Sequence, residues 1–295
     1  MRVLVLGVTG MLGNAVFRAL ADDSRYEAWG TLRGEQGRRF FPDSDQPRLV
    51  VGIDVLSHSA LVGTLNRTRP EVVVNAVGVV KQLSAASNPL DVLPLNAMFP
   101  HQLAGLCSLM GSRVIHVSSD CVFSGRKGSY RESDQSDAED LYGRSKFIGE
   151  LLDFPHAITI RTSIIGHELA SRHGLLEWFL SQEAPVRGYA RAIFSGLPTV
   201  ELARVIRDLV LPRPDLSGLY HVSAAPVSKL ELLRLIARVY SRNVSIATDS
   251  SVVVDRSLNS DRFERATGYV APPWLDLITL MHDIHTRQLG ATGSD

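Results

Sequence analysis

The chain of 295 residues has little cysteine, no excess of either charge and no long apolar run. Its two cysteines, Cys107 and Cys121, form neither a C-x-x-C pair nor a metal-like cluster. That excludes a dithiol or cysteine-based metal centre and makes a reducing cytoplasm the simplest location. Basic and acidic side chains number 31 each, for a formal net charge of zero. A dedicated nucleic-acid or membrane-surface binder usually shows a basic excess, so neither partner is expected. A neutral balance still leaves room for an anionic small ligand, which needs only a local site. No run of about 18 apolar residues exists, so no transmembrane helix is expected. The opening MRVLVLGVTG is apolar but short and enters glycines without a cleavage-like segment. It reads as a buried strand and not as a signal peptide. Internal repeats and low-complexity segments are absent as well.

What is present is an ordinary globular composition, 45% hydrophobic and 21% charged. The length suits one large α/β unit or two domains sharing an interface. Strand-like runs at 2–7, 26–32, 48–54, 71–77, 113–119 and 157–163 alternate with helical patterns at 14–22, 59–68, 94–110 and around Tyr142. Continuous apolar strands separated by helices predict a parallel sheet covered on both faces, a Rossmann-like doubly wound α/β fold. Pro100 falls inside a helical pattern and predicts a kink. The second half is less regular. Helices are expected at 174–182, 199–210, 228–241 and 274–287, with short strands near 219–223, 244–247 and 252–254.

GVTGMLG places Gly7, Gly10 and Gly13 between the first strand and the first helix. The usual dinucleotide fingerprint is G-x-G-x-x-G, and here the first two glycines stand one residue further apart. The demands are the same: a tight turn, close backbone approach to a pyrophosphate, and close helix–strand packing. The helix N-terminus then offers free N–H groups and a favourable dipole to the phosphates. Gly7, Thr9, Gly10, Met11, Leu12 and Gly13 are the candidate contacts. An acidic residue for the ribose 2′-hydroxyl should close the second strand. WGTLRG supplies Arg33 there instead, and an arginine can meet a 2′-phosphate bidentately. The pattern favours NADP(H), with NAD(H) possible. A solvated loop arginine is the bland alternative, since Arg38 and Arg39 follow closely.

LYGRSKFIGE places Tyr142 and Lys146 four apart, on one face of a helix. A nearby ammonium favours the phenolate and is expected to lower the tyrosine pKa toward neutrality. Such a pair can protonate a carbonyl oxygen as hydride reaches its carbon, and the lysine can also bond a cofactor ribose. Taken alone, the spacing equally describes a half-exposed helical face. VSSD ends the preceding strand, putting Ser118, Ser119 and Asp120 at a carboxyl end of the sheet, where ligands bind. A serine hydroxyl there can hold a substrate oxygen, or merely form a turn.

The segments GIDV (52–55), VVNAVG (73–78), LNA (95–97), VSSDCVFSG (117–125), YGRSK (142–146) and IRTSIIG (160–166) follow the glycine loop in order. In that order they resemble the extended short-chain dehydrogenase/reductases, and among these the dTDP-4-dehydrorhamnose reductases and similar nucleotide-sugar reductases. The resemblance covers most of the chain. It implies that Ser119, Tyr142 and Lys146 take the catalytic positions, Ser119 standing where the reductases often carry threonine. It implies that Asp54 and Val55 lie beside the adenine and that Ala76, Val77 and Gly78 form the fourth-strand loop over the cofactor. Asn96 takes a position that supports the lysine through water. Asp120 and Ile164 join Ser119 as candidate substrate contacts, but Ile164 replaces the tryptophan usual in the rhamnose enzymes. GVVKQL (78–83) also departs from them.

The implied activity is NAD(P)H-dependent reduction of the 4-keto group of a nucleoside-diphosphate deoxysugar, in sugar-nucleotide and cell-surface polysaccharide biosynthesis. A nucleotide-sugar epimerase and a non-catalytic cofactor-binding regulatory subunit are the alternatives. A 4,6-dehydratase is not expected, because related dehydratases follow the aspartate with glutamate and Asp120 is followed by Cys121. The implied organisation is a dinucleotide-binding domain over 1–160, a mainly substrate-binding region over 161–290 interleaved with it, and a disordered tail at 291–295. A homodimer is possible and no metal is expected.

Three further features have bland readings. His116 is a core histidine, and GHE (166–168) is a surface loop short of a third metal ligand. Trp178 and Phe179 either wall a sugar pocket or fill a helix core, and the core is the simpler reading. SGLPT (195–199) resembles a substrate-side loop of the sugar reductases.

Overall fold

The computed structural model describes residues 1–79 and 84–292. Most of GVVKQL, residues 80–83, therefore lies outside the described residues, as do 293–295 of the expected tail. Its framework is a seven-stranded parallel sheet. Six strands come from the first half: β1 (Arg2–Leu6), β2 (Glu27–Leu32), β3 (Leu49–Val51), β4 (Val72–Asn75), β5 (Arg113–Ser119) and β6 (Ala157–Thr162). The seventh is Gly218–His221, which pairs with β6 in parallel register. That segment was expected as a short strand of the second half, and it completes the main sheet instead.

The alternation of side chains explains why both faces are covered. Val3 and Val5 of β1 join one buried cluster, with Val16, Phe17 and Leu20 of α1 (Met11–Ala21). Leu4 and Leu6 join the other, with Leu61 and Leu65 of α2 (His58–Thr68) and Phe99 and Leu103 from the far side of β4. A strand with no polar alternation is the signature of burial on both faces.

The helical run before β5 starts earlier than its periodicity suggests. It comprises α3 (Pro89–Val92), a π-helical turn over Leu93–Met98, and α4 (Phe99–Met110). The irregularity expected at Pro100 thus falls in the turn just before it. Pro100 has no N–H to return to the Asn96 carbonyl, so the regular ladder cannot run through. The last helix, Trp274–Thr292, extends through two residues of the expected tail. Small sheets built from 164–165, 186–198, 227–228, 246–249 and 254–255 make up the rest of the second half. Among the described residues, no helix is long and apolar enough to cross a membrane.

The sheet order is Gly218–His221, β6, β5, β4, β1, β2, β3. From β1 the chain winds out to β3, then returns to place β4 on the other side of β1. The crevice between the carboxyl ends of β1 and β4 is the switch point where such sheets bind ligands.

Candidate active site at the carboxyl edge of the sheet

Gly7 leaves β1 with φ +80°, a left-handed conformation that glycine adopts without strain. Its N–H donates to Thr31 Oγ1 at 3.0 Å, locking the loop to β2. A Cβ on Gly13 would stand 2.2 Å from the Gly7 carbonyl oxygen, so only glycine lets α1 come this close. Gly10 caps α1 without any side-chain hydrogen bond. The first-turn amides of an 11-residue helix therefore face the crevice with no protein side chain competing for them. The glycines and this uncapped helix end fit the phosphates of a dinucleotide. Thr9 and Gly10 are exposed, whereas the Leu12 side chain is core, so Leu12 can contribute only backbone.

Across the crevice, Ala76, Val77 and Gly78 follow β4. The Val77 N–H donates to Asn75 Oδ1 at 3.1 Å. That orients the Asn75 amide to donate from Nδ2 to His116 Nδ1, 3.1 Å away. His116 is a buried histidine, as expected, but it does more than fill the core, because it holds Asn75 and through it the loop. Asn96 Oδ1 accepts from the Val79 N–H at 2.9 Å and Asn96 Nδ2 donates to Ser145 Oγ at 3.3 Å. Asn96 thus ties this loop directly to the helix that carries Tyr142 and Lys146. Asp54 turns the chain after β3 by accepting the Leu56 N–H at 3.0 Å, and Val55 is buried beneath it.

Of the three arginines after β2, Arg38 is spent on Glu35 and Gln46, and Arg39 lies over the Phe40 ring. Arg33 is exposed and makes no hydrogen bond or ion pair among the described residues. Arg39 likewise makes no hydrogen bond or ion pair among the described residues, but its guanidinium rests on the Phe40 ring.

The helix α5 (Leu141–Ile148) is started by Asp140, whose carboxylate accepts the Gly143 N–H at 2.7 Å. A Cβ on Gly143 would stand 2.2 Å from the Cys121 carbonyl oxygen. Glycine at this position presses the helix onto the end of β5 and brings Tyr142 to Ser119. Ser119 Oγ donates to Asp120 Oδ1 at 3.2 Å and accepts the Cys121 N–H at 3.1 Å. Burial pushes the Asp120 carboxyl upward, against the pull of Arg256 and its hydrogen-bond donors.

The expected lowering of the Tyr142 pKa by Lys146 is not met. Burial pushes the phenol well above its usual range, Cys121 and Asp120 add to the rise, and the Ser119 hydroxyl opposes it. Lys146 instead donates from Nζ to the Val117 carbonyl at 2.8 Å. Burial lowers the Lys146 ammonium to about 8, with Glu150 pulling the other way. Desolvation of the phenol outweighs a cation whose hydrogen bond points elsewhere. The phenol therefore stays protonated through neutral pH, the state a proton donor requires.

Beneath these residues lies a buried network that local sequence patterns did not reveal. Glu150 accepts from Ser118 Oγ at 2.8 Å and from Arg161 Nε and Nη2 at 2.7 and 2.6 Å. Arg161 also packs over Phe123 and reaches His221 Nε2 at 3.3 Å. This network joins β5, the segment just after α5, β6 and the seventh strand. Ile164 is half-buried against the main core, two residues past β6. In SGLPT, Leu197 and Pro198 pair with Ile164 and Ile165, and Ser195 Oγ accepts the Leu258 N–H. Phe179 is core as expected, but Trp178, its neighbour in the same helix, is 37% exposed. His167 of GHE is held by Glu177 at 2.6 Å and Tyr240 at 2.9 Å.

Comparison with known proteins places this arrangement in a lineage. The family described as RmlD substrate binding domain matches residues 1–274. The dTDP-4-dehydrorhamnose reductase of Salmonella typhimurium is 24% identical, over 93% of this chain and 94% of its own length. The methionine adenosyltransferase 2 subunit beta of Danio rerio is 28% identical, over 81% of this chain and 74% of its own. Two solved dTDP-4-dehydrorhamnose reductases share the fold. One, from Clostridium acetobutylicum, has a TM-score of 0.80 at 20% identity and covers 97% and 100% of the two chains. The other, from Bacillus anthracis and in complex with NADP, has a TM-score of 0.77 at 21% identity, covering 96% and 99%. With a family match running almost the full length over this sheet, this chain belongs to the RmlD substrate binding domain family, among the dTDP-4-dehydrorhamnose reductase-like extended short-chain dehydrogenase/reductases.

Proposed function

We propose that this chain reduces the 4-keto group of a nucleoside-diphosphate deoxysugar, with NADPH preferred over NADH. The observation that carries the reading is the meeting of Ser119, Tyr142 and Lys146 at the end of β5, beside a glycine crevice fitted to a dinucleotide. The bound nicotinamide supplies the hydride. Tyr142 gives its proton to the carbonyl oxygen, and burial keeps that proton in place until the oxygen becomes basic. Ser119 orients the same oxygen through its hydroxyl. Lys146 holds the cofactor ribose and, as a cation in a desolvated site, favours the phenolate left behind. Arg33 receives the 2′-phosphate. A dehydratase would need a glutamate after Asp120, and Cys121 stands there instead.

The test is a turnover screen with NADPH and a panel of nucleotide-linked 4-keto sugars. Stoichiometric NADPH oxidation with formation of the corresponding 4-hydroxy nucleotide sugar supports the reading. NADPH binding without oxidation by any of the panel would retire it.

A second reading is favoured by the relatives named as a subunit of methionine adenosyltransferase 2, which align over most of the chain. On that reading the crevice binds a dinucleotide and the chain serves a larger assembly. The presence of Ser119, Tyr142 and Lys146 together weighs for the enzyme.

A further inference from the structure

A pocket of about 300 Å3 opens between the end of β5 and the start of α5, lined by Cys121, Ser124, Glu139, Asp140 and Arg256 among others. It adjoins Tyr142: Asp140 caps the helix that begins one residue before the tyrosine, and the Cys121 carbonyl packs against Gly143 just after it. We propose that Arg256 is the specificity-determining residue of this pocket and that it reads an oxyanion carried by the substrate. This rests on the reductase reading and names the group on the substrate that the pocket selects.

Arg256 is built in, not loosely placed. Its Nε donates to the Phe123 carbonyl at 2.7 Å. On one side the Asp255 N–H donates to the Gly125 carbonyl at 2.7 Å. On the other the Ser257 carbonyl accepts the Tyr130 N–H at 2.8 Å. The guanidinium is thus fixed at one nitrogen. Its two Nη groups make no hydrogen bond or ion pair among the described residues.

The acids nearby do not satisfy it, because each is already engaged. Glu139 is paired with Arg126, Asp140 holds the Gly143 N–H, and Asp137 accepts from Ser124 N–H and Oγ at 2.7 and 2.5 Å. Asp120 is bonded by Ser119 and feels the Arg256 charge only through space, with no hydrogen bond between them. Asp120 offsets part of the Arg256 charge, but the Nη donors of the arginine's planar fork have no hydrogen-bond partner among the described residues. That geometry matches a carboxylate or a phosphate two atoms at a time, and a neutral hydroxyl poorly. Such an oxyanion has two sources on this substrate: a carboxylate on the sugar, or a phosphate of the nucleoside diphosphate.

Calorimetric titration of the NADP-loaded protein distinguishes these sources without requiring turnover. The probes are thymidine, thymidine diphosphate, thymidine-diphosphate glucose, uridine-diphosphate glucose and uridine-diphosphate glucuronate. They are compared in the natural protein, Arg256→Ala and Arg256→Gln, with thermal unfolding of each variant in parallel. Arg256→Gln keeps a polar side chain with an amide donor but removes the charge, so it decides the matter should the alanine variant fail to fold. The expected result is at least about tenfold weaker binding in the variants. A loss with every diphosphate and none with thymidine assigns the phosphate, and a loss confined to the glucuronate assigns the sugar carboxylate. Unchanged affinity for all probes in a folded variant overturns the proposal, as does failure of every probe to bind the natural protein. Binding that depends on Arg256 but leads to no reduction of any keto sugar would sink the reductase reading alone.

Discussion

The cofactor wall of the crevice, Gly7–Gly13 and Ala76–Gly78, is shaped by backbone, whereas the wall around Asp120, Asp140 and Arg256 is shaped by side chains. On the first, a helix docks through a glycine with no room for a Cβ, and loops are pinned by Thr31, Asn75 and Asn96. On the second, a guanidinium anchored 133 residues away in sequence faces a pocket whose floor is a strand end. A dinucleotide offers the same pyrophosphate to every protein that binds it, so one backbone solution serves. Sugars differ in their substituents, and side chains can follow them while the backbone stays. The difference between the walls predicts where substitution removes function outright and where it only redirects it.

The largest effect should come from Gly13→Ala. The new Cβ would stand 2.2 Å from the Gly7 carbonyl, a backbone atom that cannot step aside. NADPH binding, read by fluorescence titration, should be lost. Retention of the parent affinity would show that the cofactor wall is more yielding than its geometry indicates.

Next is Glu150→Ala, which strands Arg161 behind the site. Both side chains of that pair are almost wholly excluded from solvent. Removing one partner of a buried pair typically costs about 3–5 kcal/mol, because the other charge is left uncompensated. Denaturant unfolding should register a loss of this size. A change below about 1 kcal/mol, the range of an exposed ion pair, would mean that water reaches Arg161.

A smaller effect with a definite sign comes from Lys146. Its folded pKa is lowered from 10.5 to about 8 by burial. As pH rises through about 8 the ammonium is lost, and kcat/KM should fall along with it. Stability should move the other way. Between 8 and 10.5 the unfolded lysine holds a proton that the folded one has released, so unfolding becomes harder as pH rises in that window. Lys146→Arg keeps its charge and should carry the alkaline limb of activity upward. Activity and stability that fall together above pH 8 in the natural protein would remove Lys146 as the cause.

The smallest effect expected is that of Arg33→Ala, at the rim of the cofactor wall. Because only NADPH carries the 2′-phosphate, its affinity should fall by about tenfold, the range of one exposed charged hydrogen-bond pair, with NADH unaffected. Equal losses for both cofactors would leave Arg33 a bystander.

The same division explains what could be read from the sequence. The parallel sheet, the glycine loop and the Tyr142–Lys146 spacing were legible because each is a local pattern set by backbone geometry. The strand Gly218–His221 was seen but misplaced, since nothing local says which sheet a short strand joins. Asn75–His116 and Glu150–Arg161 were not read as networks, because their partners are 41 and 11 residues apart and meet only through the sheet. Arg256 left no signal at all in its own segment. The protonation of Tyr142 was misjudged for a related reason. Spacing along a helix shows that a lysine is near, but not that its hydrogen bond goes to Val117 or that burial governs the phenol.

The central claim is that Tyr142 donates a proton to a sugar carbonyl oxygen while the cofactor sits on a separate, backbone-built wall. Single-turnover reduction of a thymidine-diphosphate 4-keto-6-deoxy sugar by NADPH-loaded protein, compared between the natural chain and Tyr142→Phe, tests it most directly. The account predicts that the phenylalanine variant binds NADPH with nearly unchanged affinity and reduces the sugar about two to four decades more slowly. Reduction at the parent rate by Tyr142→Phe would contradict it.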